Sequence, residues 1–134
     1  METLNNMSAR SLQYYVIGRQ WASDLEFFRI ETAFLHRLLE DYFVGLLNEM
    51  HLQQLKHAGL NLFYLEKDET ELSKMLDEQI KQLELMAEDV IPENCEELAG
   101  KQAQLENRVA NLMHKYRSVK KEIFELVENV MNVK

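Results

Sequence analysis

The stretch that decides the fold is IPENCEEL, residues 91–98. Pro92 cannot continue a helix, because its ring removes the amide donor and pushes the preceding residue out of the helical conformation. Asn94 followed by Glu97 is typical of a capping box, in which the asparagine side chain accepts from a first-turn amide and the glutamate reaches back. This segment therefore predicts that one helix ends at residue 91 and the next begins at residue 95.

Mostly apolar residues follow this boundary at alternating steps of four and three. The row consists of Leu98, Gln102, Leu105, Val109, Leu112, Tyr116, Val119, Ile123, Leu126, Val130 and Val133. Such spacing is typical of a heptad seam that packs against other helices. It predicts a helix over about residues 95–133.

The same spacing runs backwards from Pro92. This second row consists of Val90, Met86, Leu83, Gln79, Leu76, Leu72, Glu69, Leu65, Leu62, Ala58 and Leu55. Its unbroken phase predicts a helix over about residues 49–91, preceded by a turn that Gly45 and Asn48 supply. The alternative is that Gly59 closes a shorter helix as a left-handed cap, which would move the first turn to that glycine.

A third row predicts a helix over about residues 11–47. It consists of Trp21, Leu25, Phe28, Thr32, Leu35, Leu39, Tyr42 and Leu46, and Phe27, Phe34, Leu38 and Phe43 lie beside it. Together these residues cover about half of the helix circumference, which is more than a two-helix seam needs. Either the helix contacts both of the others, or its free edge forms a dimer interface.

The three rows predict an all-α fold, an antiparallel bundle of three long helices with coiled-coil heptad packing, as a single domain over residues 1–134. The composition agrees, since 46% of the residues are hydrophobic and the chain has only four glycines and one proline. Residues 66–97 hold twelve acidic and three basic residues, whereas residues 101–121 hold six basic and one acidic. This asymmetry favours antiparallel pairing of the second and third helices.

Charge and cysteine content narrow the partners and the compartment. A net charge of −8 disfavours nucleic acid and anionic membranes, both of which require Lys and Arg to neutralise them. The single cysteine, Cys95, excludes an intramolecular disulfide. Residues 1–10 lack the continuous apolar stretch of a secretory signal, and no segment has about 18 uninterrupted apolar residues. We therefore expect a cytoplasmic protein.

Motifs that carry catalysis are missing from the sequence. It contains no Glu-x-x-His pair, no His-Glu-x-x-His and no glycine-rich phosphate-binding motif. Cys95 is expected to be inert, because the neighbouring glutamates oppose formation of a thiolate. His36 and Glu40 are expected to form an ordinary surface pair. We therefore expect no cofactor and no enzymatic activity.

Polar residues nevertheless fall inside the apolar rows. If the first turn lies near residue 49, Thr32, Glu69 and Tyr116 share a layer of the core, with Glu31 beside them and Asp24 on the same side. One interpretation is a hydrogen-bonded layer in which Glu69 accepts from the Tyr116 hydroxyl and Glu31 pairs with a Lys or Arg. The alternative is that Asp24, Glu31 and Glu69 are oxygen ligands for a divalent cation or a small cationic ligand. A third possibility is that they face solvent or a subunit partner.

Apolar residues beyond the rows favour a protein-binding function. They predict an interface made of Phe27, Phe34, Phe124, Val127 and Met131. The occupant would be a partner helix or another copy of the chain, so that a homodimer is one outcome. The basic cluster of Lys115, Arg117, Lys120 and Lys121 is expected to form a solvated or pairing face.

Two strings carry a family resemblance. They are residues 21–39, with Trp21, Ser23-Asp24-Leu25-Glu26-Phe27-Phe28, Glu31, Phe34-Leu35 and Arg37-Leu38-Leu39, and residues 116–124, which read YRSVKKEIF. Together they resemble uncharacterised small helical, coiled-coil proteins of Bacteroidetes-type bacteria, over most of the chain. The resemblance implies a bacterial, cytoplasmic setting and implies no activity, cofactor or catalytic residue.

Overall fold

A computed structural model of the chain describes residues 8–43 and 49–132. It contains three helices, α1 (Ala9–Phe43), α2 (Glu49–Ala87) and α3 (Cys95–Asn132). The two described ranges contain no strand. The predicted all-α fold of three long helices is therefore confirmed, whereas coiled-coil packing stays a prediction.

The helices contribute to two compact units. The first unit comprises Met1–Glu26 with Thr70–Ala110, and the second comprises Phe27–Glu69 with Asn111–Lys134. Each unit therefore contains a segment of each helix. The prediction of a single domain over residues 1–134 stays a prediction.

Paired residues define the helix directions within the first unit. The Tyr15 hydroxyl donates to Glu84 at 3.4 Å, and a Cβ added at Gly18 would lie 3.3 Å from Ile80. Since the α2 partner moves backwards as α1 advances, these two helices are antiparallel here. Likewise, Arg108 of α3 pairs with Glu71 of α2 at 3.7 Å, and Gln79 donates to the carbonyl oxygen of Leu98 at 3.4 Å.

The second unit has the same directions. Arg29 of α1 pairs with Glu69 of α2 at 2.7 Å, and the Lys115 ammonium of α3 lies 3.3 Å from Asp68 of α2. The Glu122 carboxylate of α3 in turn lies 3.2 Å from His57, earlier in α2. The ion pairs Arg108–Glu71 and Lys115–Asp68 join α3 to α2, in agreement with the expectation drawn from their flanking charges.

Most residues of the predicted rows form the two cores, whereas Trp21, Met86, Val109 and Val130 are only partly buried. In the first unit, Leu72, Leu76 and Leu105 are buried, and in the second, Leu112 and Val119 are buried. An exception is Val90, whose predicted burial is wrong because 62% of its surface is exposed. Tyr42, Leu46 and Val133 lie outside the described side chains.

The position of the first turn agrees with the heptad phase. Because α2 runs without interruption from Glu49 to Ala87, it passes through Gly59, and the alternative of a cap at this glycine is wrong. Gly45 and Asn48, to which the turn was assigned, lie outside the described residues.

Helix α2 ends at Ala87, four residues before the predicted end at residue 91. The amide of Asp89 donates to the Met86 carbonyl at 3.1 Å, and the amide of Val90 donates to the Leu85 carbonyl at 2.9 Å. This is a Schellman motif, in which Asp89 adopts a left-handed conformation with φ of 58°. The helix therefore ends before Pro92 can act on it, and this explains why Val90 lies outside the core.

Replacing Asp89 with glycine is expected to raise the free energy of unfolding by about 1 kcal/mol, because glycine adopts the left-handed conformation without steric strain. The change also removes a negative charge from a helix C-terminus, where the dipole disfavours it. Urea denaturation followed by circular dichroism would measure the effect. Glu88→Gly is the control and is expected to be destabilising, because Glu88 does not have a positive φ. Similar shifts in both variants would contradict the assignment.

The starts of α3 and α1 are each capped by a side chain. The Asn94 side chain accepts from the Glu97 backbone amide at 3.1 Å, as predicted. The Glu97 carboxylate, however, accepts from the Asn94 side-chain amide at 3.4 Å, whereas in a capping box it would accept from the Asn94 backbone amide. At the start of α1, the Ser8 hydroxyl accepts from the Ser11 amide at 3.1 Å. The Ser11 and Ser8 hydroxyls also donate to Glu93, and they hold the pKa of this carboxyl below its usual value.

Candidate functional site

The predicted polar layer exists in the second unit. Thr32, Glu69 and Tyr116 are all buried there, and Phe28 packs edge-on against the Tyr116 ring with 5.2 Å between centroids. Each of the three lies in its row of buried residues, one on each helix. The heptad spacing, together with a first turn near residue 49, was therefore sufficient to find the layer.

The bonding within the layer differs from the prediction. The Tyr116 hydroxyl donates to Glu31, so the predicted bond to Glu69 is wrong. The ammonium of Lys120 lies 3.2 Å from the same Glu31 oxygen, which confirms that Glu31 pairs with a lysine or arginine. Glu31 is only half-buried at the margin of α1, and from there it reaches the α3 side of the layer.

Glu69 has its own partner. Its Oε1 lies 2.7 Å from Nη1 of Arg29, while the Thr32 hydroxyl donates to the Arg29 carbonyl oxygen at 3.1 Å. Burial raises the pKa of Glu69, and the guanidinium of Arg29 opposes this rise. The layer thus contains two separate ion pairs, one toward α2 and one toward α3.

The pKa values of Glu31 and Tyr116 shift in opposite directions. The hydrogen bond from Tyr116 lowers the pKa of Glu31, and Lys120 adds to this effect. Burial raises the pKa of the Tyr116 hydroxyl, and the nearby Glu31 carboxylate raises it further. Tyr116 is therefore a neutral donor and Glu31 an ionised acceptor at neutral pH.

The alternative of a cation site finds no support in this geometry. Asp24 belongs to the first unit, is exposed, and accepts from the Gln20 amide at 3.0 Å. Within residues 8–43 and 49–132, no three His, Cys, Asp or Glu side chains are grouped so that they could hold a metal ion. Glu31 and Glu69 are instead neutralised by Lys120 and Arg29.

His36 also has a different partner from the one expected. Its Nε2 bonds the Glu66 carboxylate of α2, whereas the sequence suggested Glu40 of its own helix. An i, i+4 spacing could not have revealed this contact, because it depends on how α1 and α2 are aligned. His57 and Glu122 line an open cleft of about 360 Å³ between α2 and α3, which the sequence did not suggest.

Four of the five predicted interface residues are exposed in the second unit. The exposed fractions are 62% for Phe27, 50% for Phe34, 43% for Phe124 and 54% for Met131. Val127 was assigned to the interface wrongly, because it is only 9% exposed and belongs to the core. The sequence reasoning missed Ile30, which lies between Phe27 and Phe34 and is 61% exposed.

These residues lie on one side of the unit. Phe27 and Phe34 flank Glu31 on α1 at one-turn spacings, and Phe124 follows Lys120 by one turn on α3. The Lys120 ammonium contacts Glu31 and lies 5.6 Å from the Tyr116 ring centroid and 5.7 Å from that of Phe124. The Glu31–Lys120 ion pair therefore joins the two helices on this side. We call this surface the aromatic face, made of Phe27, Ile30, Phe34, Phe124 and Met131.

Among the described residues, none of the three helices is apolar enough over the length that is needed to cross a membrane. Comparison with protein-family models, with curated proteins and with solved structures finds no match to this chain.

Proposed function

We propose that this chain is a non-enzymatic interaction protein, a helical bundle that binds another protein helix through the aromatic face. The observation that carries the proposal is that three phenylalanines from two helices, Phe27, Phe34 and Phe124, are about half exposed on one side of the second unit. Isolated exposed apolar residues are common, but a contiguous group of large ones is typical of an interface. Aromatic side chains also supply much of the binding energy where proteins meet.

The polar groups beneath the face support a scaffolding role. Glu31 is held by Tyr116 and Lys120, and Lys120 in turn lies over the Phe124 ring. These contacts fix the positions of α1 and α3 and leave the aromatic side chains outside. A rigid apolar surface binds with less loss of conformational entropy than a mobile one.

The same groups are less suited to catalysis. A general acid or base needs a pKa near the working pH and access to a substrate. Tyr116 has its pKa shifted upward by burial and by Glu31, and it is buried. We place the protein in the cytoplasm of a bacterium. A chain with a single cysteine forms no intramolecular disulfide, and this suits a reducing compartment.

Replacing Phe34 with glutamate is expected to abolish binding through the face, because a charge would be buried without a partner on docking. The measurement has two parts, the molar mass of the purified protein by light scattering and the set of proteins that co-purify with it from its source cell. We expect that the larger mass, or a defined co-purifying protein, is lost in the variant.

Phe63→Glu is the matched control. Phe63 is also about half exposed, but it lies on α2 and contributes nothing to the aromatic face. This variant should keep the mass and the partners of the wild type, and circular dichroism should show that both variants remain helical. The proposal is overturned if the wild type and both variants have the same mass and the same co-purifying proteins.

A further inference from the structure

We propose that the occupant of the aromatic face is a second copy of this chain, docked so that the two α3 helices run antiparallel with Phe124 at the two-fold axis. This inference rests on the proposed function, in which the face binds a protein helix.

A second row of residues on α3 carries the inference. Outside the buried row, one finds Arg117, Lys121, Phe124, Glu128 and Met131, again at alternating steps of four and three residues. All five are exposed. Residues at these spacings lie along one side of a helix and are typical of a seam with another helix. The buried row packs against α1 and α2, whereas the outer row lies on the exposed side of α3.

The charges of this outer row are separated along α3. Arg117 and Lys121 precede Phe124, and Glu128 follows it by one turn. A two-fold axis at Phe124 therefore brings Lys121 of each copy close to Glu128 of the other, because the two residues lie about one turn on either side of Phe124. Two copies in parallel would instead place like charges together. The row is thus complementary to itself in the antiparallel arrangement.

Helix α1 adds charge of the matching sign. Since α1 and α3 are both antiparallel to α2, they run in the same direction in the second unit. Glu31 contacts both Tyr116 and Lys120, so Asp41, ten residues after Glu31, lies at about the level of Glu128. The end of the face that would receive Lys121 of the other copy therefore carries two exposed carboxylates, those of Asp41 and Glu128.

The aromatic side chains supply the apolar centre. Two copies of Phe124 meet at the axis, where offset or edge-on ring contacts are favourable. Phe34 lies close to the level of Lys121 on the neighbouring helix, so it covers the flank of the seam. An interface of about fifteen helical residues per copy is small, and we expect a dissociation constant on the order of 10 µM.

Charge reversal tests the arrangement in the full-length protein. We expect sedimentation equilibrium of the wild type to show a monomer–dimer equilibrium over protein concentrations of about 1 to about 300 µM. These concentrations lie on both sides of the dissociation constant expected for such a small interface. Lys121→Glu and Glu128→Lys should each weaken the dimer by about tenfold or more, because each creates two like-charge contacts across the axis. A mixture of the two variants should dimerise again, because every such contact in the mixed dimer then joins opposite charges.

Glu125→Lys is the control, because Glu125 is exposed on α3 but lines the cleft toward α2. It should dimerise as the wild type does. The second-copy inference is overturned if the wild type is monomeric throughout, if Glu125→Lys weakens the dimer as much as Glu128→Lys, or if mixing the two single variants restores nothing. A monomeric wild type whose co-purifying protein is lost on Phe34→Glu would overturn this inference alone and leave the proposed function in place.

Discussion

Replacing Arg29 with methionine is expected to lower the free energy of unfolding by about 2 to 3 kcal/mol at pH 7, because Glu69 would keep its charge in the core without a counter-ion. The Glu69 side chain is only 4% exposed, and its carboxylate lies 2.7 Å from the guanidinium. Arg29 itself is 52% exposed, so water can partly replace it. We therefore expect a loss somewhat below that of a fully buried pair.

The loss is expected to depend on pH. Burial already raises the pKa of Glu69, and removing Arg29, which opposes this rise, shifts the pKa further upward. A carboxyl group with a higher pKa in the folded state than in the unfolded state destabilises the fold when it ionises. The deficit should therefore be complete above the folded-state pKa and should shrink as the pH falls toward the unfolded-state value of about 4.3. Urea denaturation of the wild type and the variant at pH 7 and at pH 5 would measure this difference.

Two further variants separate the buried charge from general loss of packing. Arg29→Met combined with Glu69→Leu should return to within about 1 kcal/mol of the wild type, because no buried charge remains. Arg37→Met removes an exposed arginine from the same helix and should change stability by less than about 0.5 kcal/mol. An equal loss at both pH values, or a double variant as unstable as Arg29→Met, would contradict the assignment.

The positions of the polar layer could be predicted because they depend only on periodicity and on where the chain turns. Thr32, Glu69 and Tyr116 each occupy a place in a long row, and a row fixes which side of a helix is buried. The partner of Tyr116 could not be predicted in the same way. Glu31 lies outside the heptad row of α1. Whether Glu31 or Glu69 accepts the Tyr116 hydroxyl depends on the rotation of α1 against α3, and periodicity does not give this rotation.

The edges of the rows were predicted least well, and for a related reason. Phe124 and Val127 both lie beside the α3 row, yet Phe124 is exposed and Val127 is buried. Periodicity gives the centre of a buried stripe but not its width, which depends on how closely the neighbouring helices approach. Similarly, the sequence predicts the end of α2 at residue 91, just before Pro92, because an aspartate in the left-handed conformation gives a weaker sequence signal than a proline.

Replacing Gln102 with leucine is expected to raise the free energy of unfolding by about 2 kcal/mol. Gln102 is buried in the first unit, and within the described part of the chain neither its amide nitrogen nor its amide oxygen has a hydrogen-bond partner. A buried polar group without a partner costs about 1 to 3 kcal/mol, and leucine would also add buried apolar surface. Thermal or urea denaturation would measure the gain. Gln104→Leu is the control, since Gln104 is exposed on the same helix and should change stability by less than about 0.5 kcal/mol.

Gln79, the second buried glutamine of the first unit, indicates what these side-chain amides do for the fold. Its Nε2 donates to the Leu98 carbonyl oxygen at 3.4 Å, one helical turn before Gln102 on α3, whereas its Oε1 has no hydrogen-bond partner within the described part of the chain. Gln79 and Gln102 therefore occupy neighbouring levels of the core between α2 and α3. Polar residues in heptad rows disfavour shifted alignments at the expense of stability, because a shift would separate the two glutamines and surround each with apolar side chains. The double variant Gln79→Leu/Gln102→Leu should therefore be more stable than the wild type but show extra amide resonances from shifted alignments. A Gln102→Leu protein no more stable than Gln104→Leu, or a double variant with a single set of resonances, would contradict this role.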